Sequence, residues 1–291
     1  MTSSFLKDYF KERKAKILKT ILFSLLFFVI LSFFFLGKAP TEFIAKISIN
    51  GVIFERDDIL SKFSDIKKDD SVKAVLVNVN SPGGTFVNSK EIFDSIVEIG
   101  ARMPTAVYMK EMATSGGYLL SAGAERIFSN QGTITGSIGV ILQTANINDL
   151  LKKIGVDPIV IKSGQLKAVP NPLEKIQESQ ISYVQSIISE IQDEFLDIIK
   201  SRRSLSDDAI EQISDGRILS SKKAAELNLI DEIGTEKDAI SWLREQAELD
   251  DDLPVVEIND VKDFLNLVDL KFLNNKLKLS SLNGILALWV Y

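Results

Sequence analysis

Residues 72–84 read VKAVLVNVNSPGG. The first part, Val72–Asn78, is a near-continuous β-branched run. Such a run suits a strand covered on both faces, as in a parallel sheet. The run ends at Asn80-Ser81-Pro82-Gly83-Gly84, and from Asn88 to Arg102 the apolar residues Ile92, Phe93, Ile96, Val97 and Ile99 take helical spacing. A buried strand that breaks at glycines and turns into a helix is the repeating unit of open α/β sheets. Ligands of such sheets bind at the C-terminal ends of the strands.

The same alternation extends in both directions. Phe43–Asn50 and Thr105–Met109 read as strands, and Asp57–Lys68 as a helix. Ser115–Ala124 reads as a short buried helix, Arg126–Ser129 as a strand, Asp149–Gly155 as a helix ended by glycine, and Pro158–Lys162 as a further strand. Strand–helix repetition predicts an α/β domain with a mainly parallel sheet and right-handed crossovers. Between Glu174 and Arg203, residues Ile181, Val184, Ile188, Ile191, Phe195 and Ile198 recur every three or four positions, which predicts one long amphipathic helix. Asp207–Ile213, Ser220–Leu227 and Glu236–Gln246 are further helices, and residues 250–291 form a weakly patterned extension. The α/β domain is thus expected over residues 43–249.

The 291 residues include no histidine and no cysteine. Ser-His-Asp and Cys-His chemistry are therefore excluded, and so are disulfides and thiolate metal sites. The formal charge is −6, but residues 1–20 carry six basic groups against two acidic ones, a net of +4, which leaves −10 for the rest. An acidic body argues against a nucleic-acid partner. Ile21–Leu36 reads ILFSLLFFVILSFFFL without a charge. Basic residues before this stretch, and only Lys38 just after it, predict a single-pass anchor with the N-terminus inside and residues from Phe43 onward outside, after a linker over residues 37–42. Cleavage as a signal peptide is the competing reading, with Lys38 and Pro40 poorly placed for it.

Two glycine segments can carry chemistry. Glycines at 83 and 84 let backbone N–H groups approach a ligand, although a tight strand-to-helix turn would read the same way. Ser115-Gly116-Gly117 follows a strand and opens a helix. A serine there serves as a cap in many helices, and it is also where a nucleophile gains from the next N–H and the helix dipole. Lys162 and Lys167 lie just past another predicted strand. Surface lysines are solvated as a rule, and one that acts as a base must be neutral, a state that burial favours. Ser137, in Thr135-Gly136-Ser137-Ile138-Gly139, could orient such a lysine.

Taken in order, Asn80–Gly84, Met112–Tyr118, Thr135–Val140, Lys162–Lys167, Asp215-Gly216-Arg217 and Leu229–Gly234 closely resemble the signal peptide peptidase A family, also called protease IV. The resemblance spans residues 43–234 and matches the short, single-copy form of these membrane-anchored serine proteases. It implies the fold shared by crotonases and the Clp protease proteolytic subunit, and a ring-like homo-oligomer. It implies Ser115 as nucleophile, Lys167 as general base, an oxyanion hole at Gly83 and Gly116, and Ser137 as the hydroxyl beside the lysine, with no cofactor and no metal. The family motif Lys-Ser/Ala-Gly-x-x-Lys selects the second lysine, Lys167, over Lys162. Ala168 departs from the polar residue common after that lysine. The implied substrates are remnant signal peptides and other unfolded peptides, on the extracytoplasmic side of a bacterial plasma membrane. Cleavage of a specific membrane protein such as a stomatin-like partner, acyl-CoA chemistry on the same fold, and a silent assembly module are the alternatives.

Overall fold

The computed structural model describes residues 13, 14, 16–28 and 42–258. The chain divides into two compact units, residues 1–41 and 42–291. In the first unit residues 16–28 are helical. Among the described residues no helix is long and apolar enough to cross a membrane, so the expected transmembrane helix is not supported. Residues 29–36 of that expected span lie outside the described residues.

The second unit opens with β1 (Phe43–Asn50), α1 (Asp57–Lys68), β2 (Val72–Ser81), α2 (Phe86–Gly100) and β3 (Thr105–Thr114). Then follow α3 (Gly116–Ser121), β4 (Arg126–Ser129), β5 (Ile134–Gly136), α4 (Asn148–Lys153) and α5 (Glu178–Arg202). The remainder is α6 (Asp207–Ile213), β6 (Ile218–Ser220), α7 (Ser221–Glu226), β7 (Glu232–Ile233), α8 (Glu236–Gln246) and β8 (Val255–Glu257). Eight strands form one sheet in the order β6-β5-β3-β2-β1-β8, with β4 pairing β3 and β7. Every pair is parallel except β5–β6. The chain therefore has the expected α/β fold, with a mostly parallel sheet and flanking helices.

Alternation along β2 distributes its side chains between two cores. Val75, Val77 and Val79 join Ile92, Ile96, Leu119 and Ile199 on one face. Ala74 and Leu76 meet Phe128, Ala239 and Leu243 on the other. Both faces are covered, which explains why β2 reads as a near-continuous apolar run. Burial of each such aliphatic side chain contributes about 1.5–3 kcal/mol. α8 closes the second face, and its start is fixed by a capping box in which Thr235 accepts from Asp238 N while the Asp238 carboxylate accepts from Thr235 N.

Several elements differ from expectation. β2 and β3 run on to Ser81 and Thr114, past the polar residues that read as loop, because ladder pairing continues to Ser81 opposite Ala113. Pro158–Lys162 is not a strand: among the described residues no strand pairs with it, and Ile159 and Ile161 are 85% and 93% exposed. α5 buries Phe195, Leu196 and Ile199 near its C-terminal end, while Ile181, Tyr183 and Ile187 nearer its start stay exposed. The stripe is thus only partly used within the chain. β8 forms within the stretch read as a weakly patterned extension, where it pairs with β1 at the sheet edge. Lys46 reaches Glu257 at 2.8 Å and Glu236 at 3.2 Å, tying β8 and α8 to β1.

Candidate active site

The ends of β2 and β3 lie side by side, so the two glycine segments that follow them face each other. Ser115 sits between β3 and α3 with φ 52° and ψ −121°. A non-glycine residue at positive φ is strained, and this one is held by its neighbours. Its N–H donates to Gly136 O at 2.8 Å, and its carbonyl accepts from the N–H groups of Tyr118 and Leu119, each at 2.9 Å. The Ser115 side chain makes no capping bond to α3, so its hydroxyl is not used as a helix cap. A serine on a strained strand-to-helix turn presents its Oγ outward, as nucleophiles of α/β hydrolases do. The side chain is half-buried.

Glycine is required where the loops meet. Gly83 has φ 99°, and a Cβ on it would lie 2.7 Å from Gly116 N and 2.9 Å from Thr114 O. A Cβ on Gly84 would collide with Ile53 O, and one on Gly116 with the Ser89 hydroxyl. The N–H of Gly116, first in α3, has no intrahelical acceptor. The N–H of Gly83 donates to Ser81 Oγ at 3.0 Å. Ser115, Gly83 and Gly116 are therefore brought into direct contact range of one another.

Ser137 also has φ 52°, and its N–H donates to Arg217 O at 2.8 Å. Ser115 and Ser137 line one open cavity of about 430 Å³, together with Gly139, Gln192, Asp215 and Gly216. Asp215 is clamped by Arg217, whose Nε and Nη2 donate to its oxygens at 2.9 and 2.6 Å. Hydrogen bonding from the Arg217 side chain, and then from its backbone, holds the Asp215 carboxyl below the usual range.

The lysines are placed differently. Lys162 Nζ donates to Glu174 Oε2 at 2.8 Å, and Asn171 Nδ2 donates to the same oxygen at 3.0 Å. The Lys162 bond is the main reason that the Glu174 carboxyl lies below its ordinary value. Lys167 is exposed and does not line the Ser115 cavity. Its backbone N–H donates to Gly164 O at 3.1 Å. One copy of the chain thus gathers Ser115, Gly83, Gly116 and Ser137, and leaves Lys167 outside the cavity. Gln192, which reaches the cavity wall from α5, escaped the sequence reading because a glutamine beside Ile191 looks like any solvated helix position.

Known proteins resemble the chain over most of its length. The family model described as peptidase family S49 matches residues 99–250, and that described as Clp protease matches residues 54–134. A protein of Enterococcus faecium that carries the name signal peptide peptidase SppA is 34% identical over 253 residues, covering 82% of this chain and 72% of its own length. A protease of Synechocystis is 34% identical over 76% of this chain and 79% of its own length. Protease 4 of Haemophilus influenzae is 31% identical over 68% of this chain, which spans 34% of that longer protein. With no histidine available, a strained, half-buried Ser115 where β3 gives way to α3, and relatives of this kind across most of its length, the chain belongs to peptidase family S49 and is a serine peptidase.

Proposed function

We propose that the chain is a membrane-associated endopeptidase that degrades remnant signal peptides, with Ser115 as nucleophile and Lys167 as general base. The observation that carries this reading is the strained, uncapped Ser115 at an open cavity, with the N–H of Gly116 behind it. Neutral Lys167 takes the proton of the Ser115 hydroxyl, and Oγ attacks the scissile carbonyl carbon. The N–H groups of Gly83 and Gly116 receive the oxyanion. For this the Gly83 N–H exchanges the Ser81 hydroxyl for the stronger, charged acceptor. The lysine then gives its proton to the leaving amine, and water releases the acyl group from Ser115.

Lys167 is supplied to this site by a neighbouring copy of the chain. Two features support that arrangement: the exposure of Lys167, and the uncovered apolar residues of the segment that bears it, among them Ile141, Ile159 and Ile161. Burial of that segment in a ring favours the neutral amine that a base must be. The name of the Enterococcus relative and the open cavity, which admits an extended chain, support peptide substrates from signal sequences. The charge-free residues 21–36 behind a basic N-terminus support anchoring, with the peptidase unit outside the cell membrane.

Mass spectrometry of synthetic signal peptides after incubation with the full chain in detergent tests the reading. Cleavage within their apolar cores is expected, with Ser115→Ala inert and folded proteins resistant. Equal rates on folded and unfolded forms of one substrate, or a fully active Ser115→Ala, would sink it.

A further inference from the structure

Two features at the wall of the Ser115 cavity have no part in the chemistry above: the Gln192 amide, and the turn Asp215-Gly216-Arg217. Gln192 Nε2 donates to Ile138 O at 3.2 Å and to Ser214 O at a longer 3.5 Å. Both acceptors are carbonyl oxygens, so the amide cannot be turned over without setting oxygen against oxygen. Its Oε1 is thereby committed to the other side, where it is buried without a hydrogen-bond partner among the described residues. A buried acceptor left unmatched destabilises a fold, and an apolar side chain of equal length would avoid that cost. The donor side of Gln192 is what the position is built around.

What it holds is the turn that carries Ser137. Ser137 is in the left-handed region, a conformation that persists only when its surroundings enforce it. On one side its own N–H is bonded to Arg217 O at 2.8 Å, and a Cβ on the preceding Gly136 would lie 2.9 Å from that same oxygen. Arg217 is fixed in turn by Asp215, whose Oδ1 accepts from the Arg217 backbone N–H at 3.0 Å and from its Nε at 2.9 Å. On the other side the next carbonyl, Ile138 O, is the one that Gln192 grips. We infer that Gln192 and the Asp215–Arg217 turn form a two-sided clamp that positions the Ser137 hydroxyl for peptide hydrolysis, with Gln192 a positioning residue. The clamp rests on the proposed role of Ser137 as the hydroxyl that orients the lysine. Without Gln192 the turn relaxes toward an unstrained conformation and the hydroxyl leaves its place.

The test is a double-mutant cycle on the full-length chain with one peptide substrate, reading kcat and KM separately. Ser137→Ala and Gln192→Met are each expected to lower kcat about 10- to 100-fold, the scale of a misplaced catalytic group, with KM within about twofold. The Ser137→Ala/Gln192→Met double variant is expected to be no slower than Ser137→Ala, because Gln192 acts only through Ser137. Single effects that multiply in the double variant, or Gln192→Met at wild-type kcat, overturn the clamp. If Gln192→Met fails to fold, Asp215→Ala, at an exposed ion pair, runs the same cycle from the other side of the clamp. Its loss must likewise vanish in the Ser137→Ala background, and persistence there overturns the clamp. Ser137→Ala at wild-type kcat removes the lysine-orienting role and the clamp with it, whereas a slow Ser137→Ala with multiplying effects overturns the clamp alone.

Discussion

Lys162 and Lys167 differ by five positions and share one chemistry, yet their surroundings separate them. Lys162 is tied to Glu174, which Asn171 also holds, so it closes a local ion pair in the segment before α5. Lys167 is exposed, and among the described residues no such ion pair holds it. Lys167→Ala is expected to lower kcat by about 10²–10⁴, the range of a lost general base. Lys167→Arg should be as slow, since a guanidinium does not deprotonate in this range. Lys162→Ala should keep most of the rate. Rates on one peptide for the three variants decide the matter, and an active Lys167→Ala beside an inactive Lys162→Ala would reverse the assignment. Tyr118 gives a stability counterpart. It is fully buried, burial pushes its phenol up from the ordinary range, and its hydroxyl donates to Leu229 O at 2.8 Å. Tyr118→Phe leaves that carbonyl unpaired and is expected to cost about 1–3 kcal/mol in denaturant unfolding. No change in the unfolding midpoint would mean that water replaces the hydroxyl.

Among the elements, β8 is a three-residue strand paired with β1, and an ion pair adds to its hold on that strand. Burial works against ionisation of Glu257, but hydrogen bonds from Lys46 and Ser48 outweigh it, and its carboxyl lies below the ordinary value. Lys46 is raised above its own ordinary value, chiefly by the bond to Glu257, with burial opposing. The carboxylate contribution is therefore fully present above the ordinary value of 4.5 and is lost as pH falls through the lower folded value. The lysine contribution is present below 10.5 and is lost as pH rises through the higher folded value. Both side chains are half-buried but still reach solvent at the sheet edge, so screening keeps the clip to about 1 kcal/mol. Glu257→Gln should speed amide exchange at Ile258, whose N–H donates to Lys46 O at 2.8 Å, at pH 7, and the difference should shrink as pH falls through the lowered Glu257 value. Equal protection in the variant and the wild type at pH 7 would show that the strand holds without the charge.

For the whole molecule, the unused surface is the telling one. The segment from Ile141 to Ile161 carries isoleucines that are 77%, 85% and 93% exposed at positions 141, 159 and 161, and the start of α5 adds Ile181 and Ile187. Contiguous exposed apolar surface is typical of interaction sites, which is in keeping with the ring proposed above. If one copy supplies Ser115 and the next supplies Lys167, two inactive variants should restore each other. Co-expressed Ser115→Ala and Lys167→Ala chains are expected to recover up to about a quarter of wild-type activity, the share of random neighbour pairs that unite an intact serine with an intact lysine. Either variant alone should remain inactive. No recovery in verified mixed oligomers would place both groups in one chain.

The sequence alone determined the α/β class, because β2 is covered on two faces and must be apolar at most positions, which shows as a near-continuous run. It also singled out Ser115 and the two glycine segments, since their constraints are local: a turn too tight for a Cβ and a strand that ends at a helix. The boundaries of β1, α1, β4, α6 and α8 were legible for the same local reason. Short strands such as β5, β6 and β7 were not, because two or three residues carry no period and form only where a neighbour offers its ladder. The isoleucine alternation at Pro158–Lys162 misled, since period two describes a strand's faces and not whether a partner exists. The grip of Gln192 on Ile138, the Arg217 carbonyl beneath Ser137 and the absence of Lys167 from the cavity were decided only by the tertiary structure. Each depends on where residues tens of positions apart come to rest, and backbone carbonyls accept hydrogen bonds whatever side chain the sequence names.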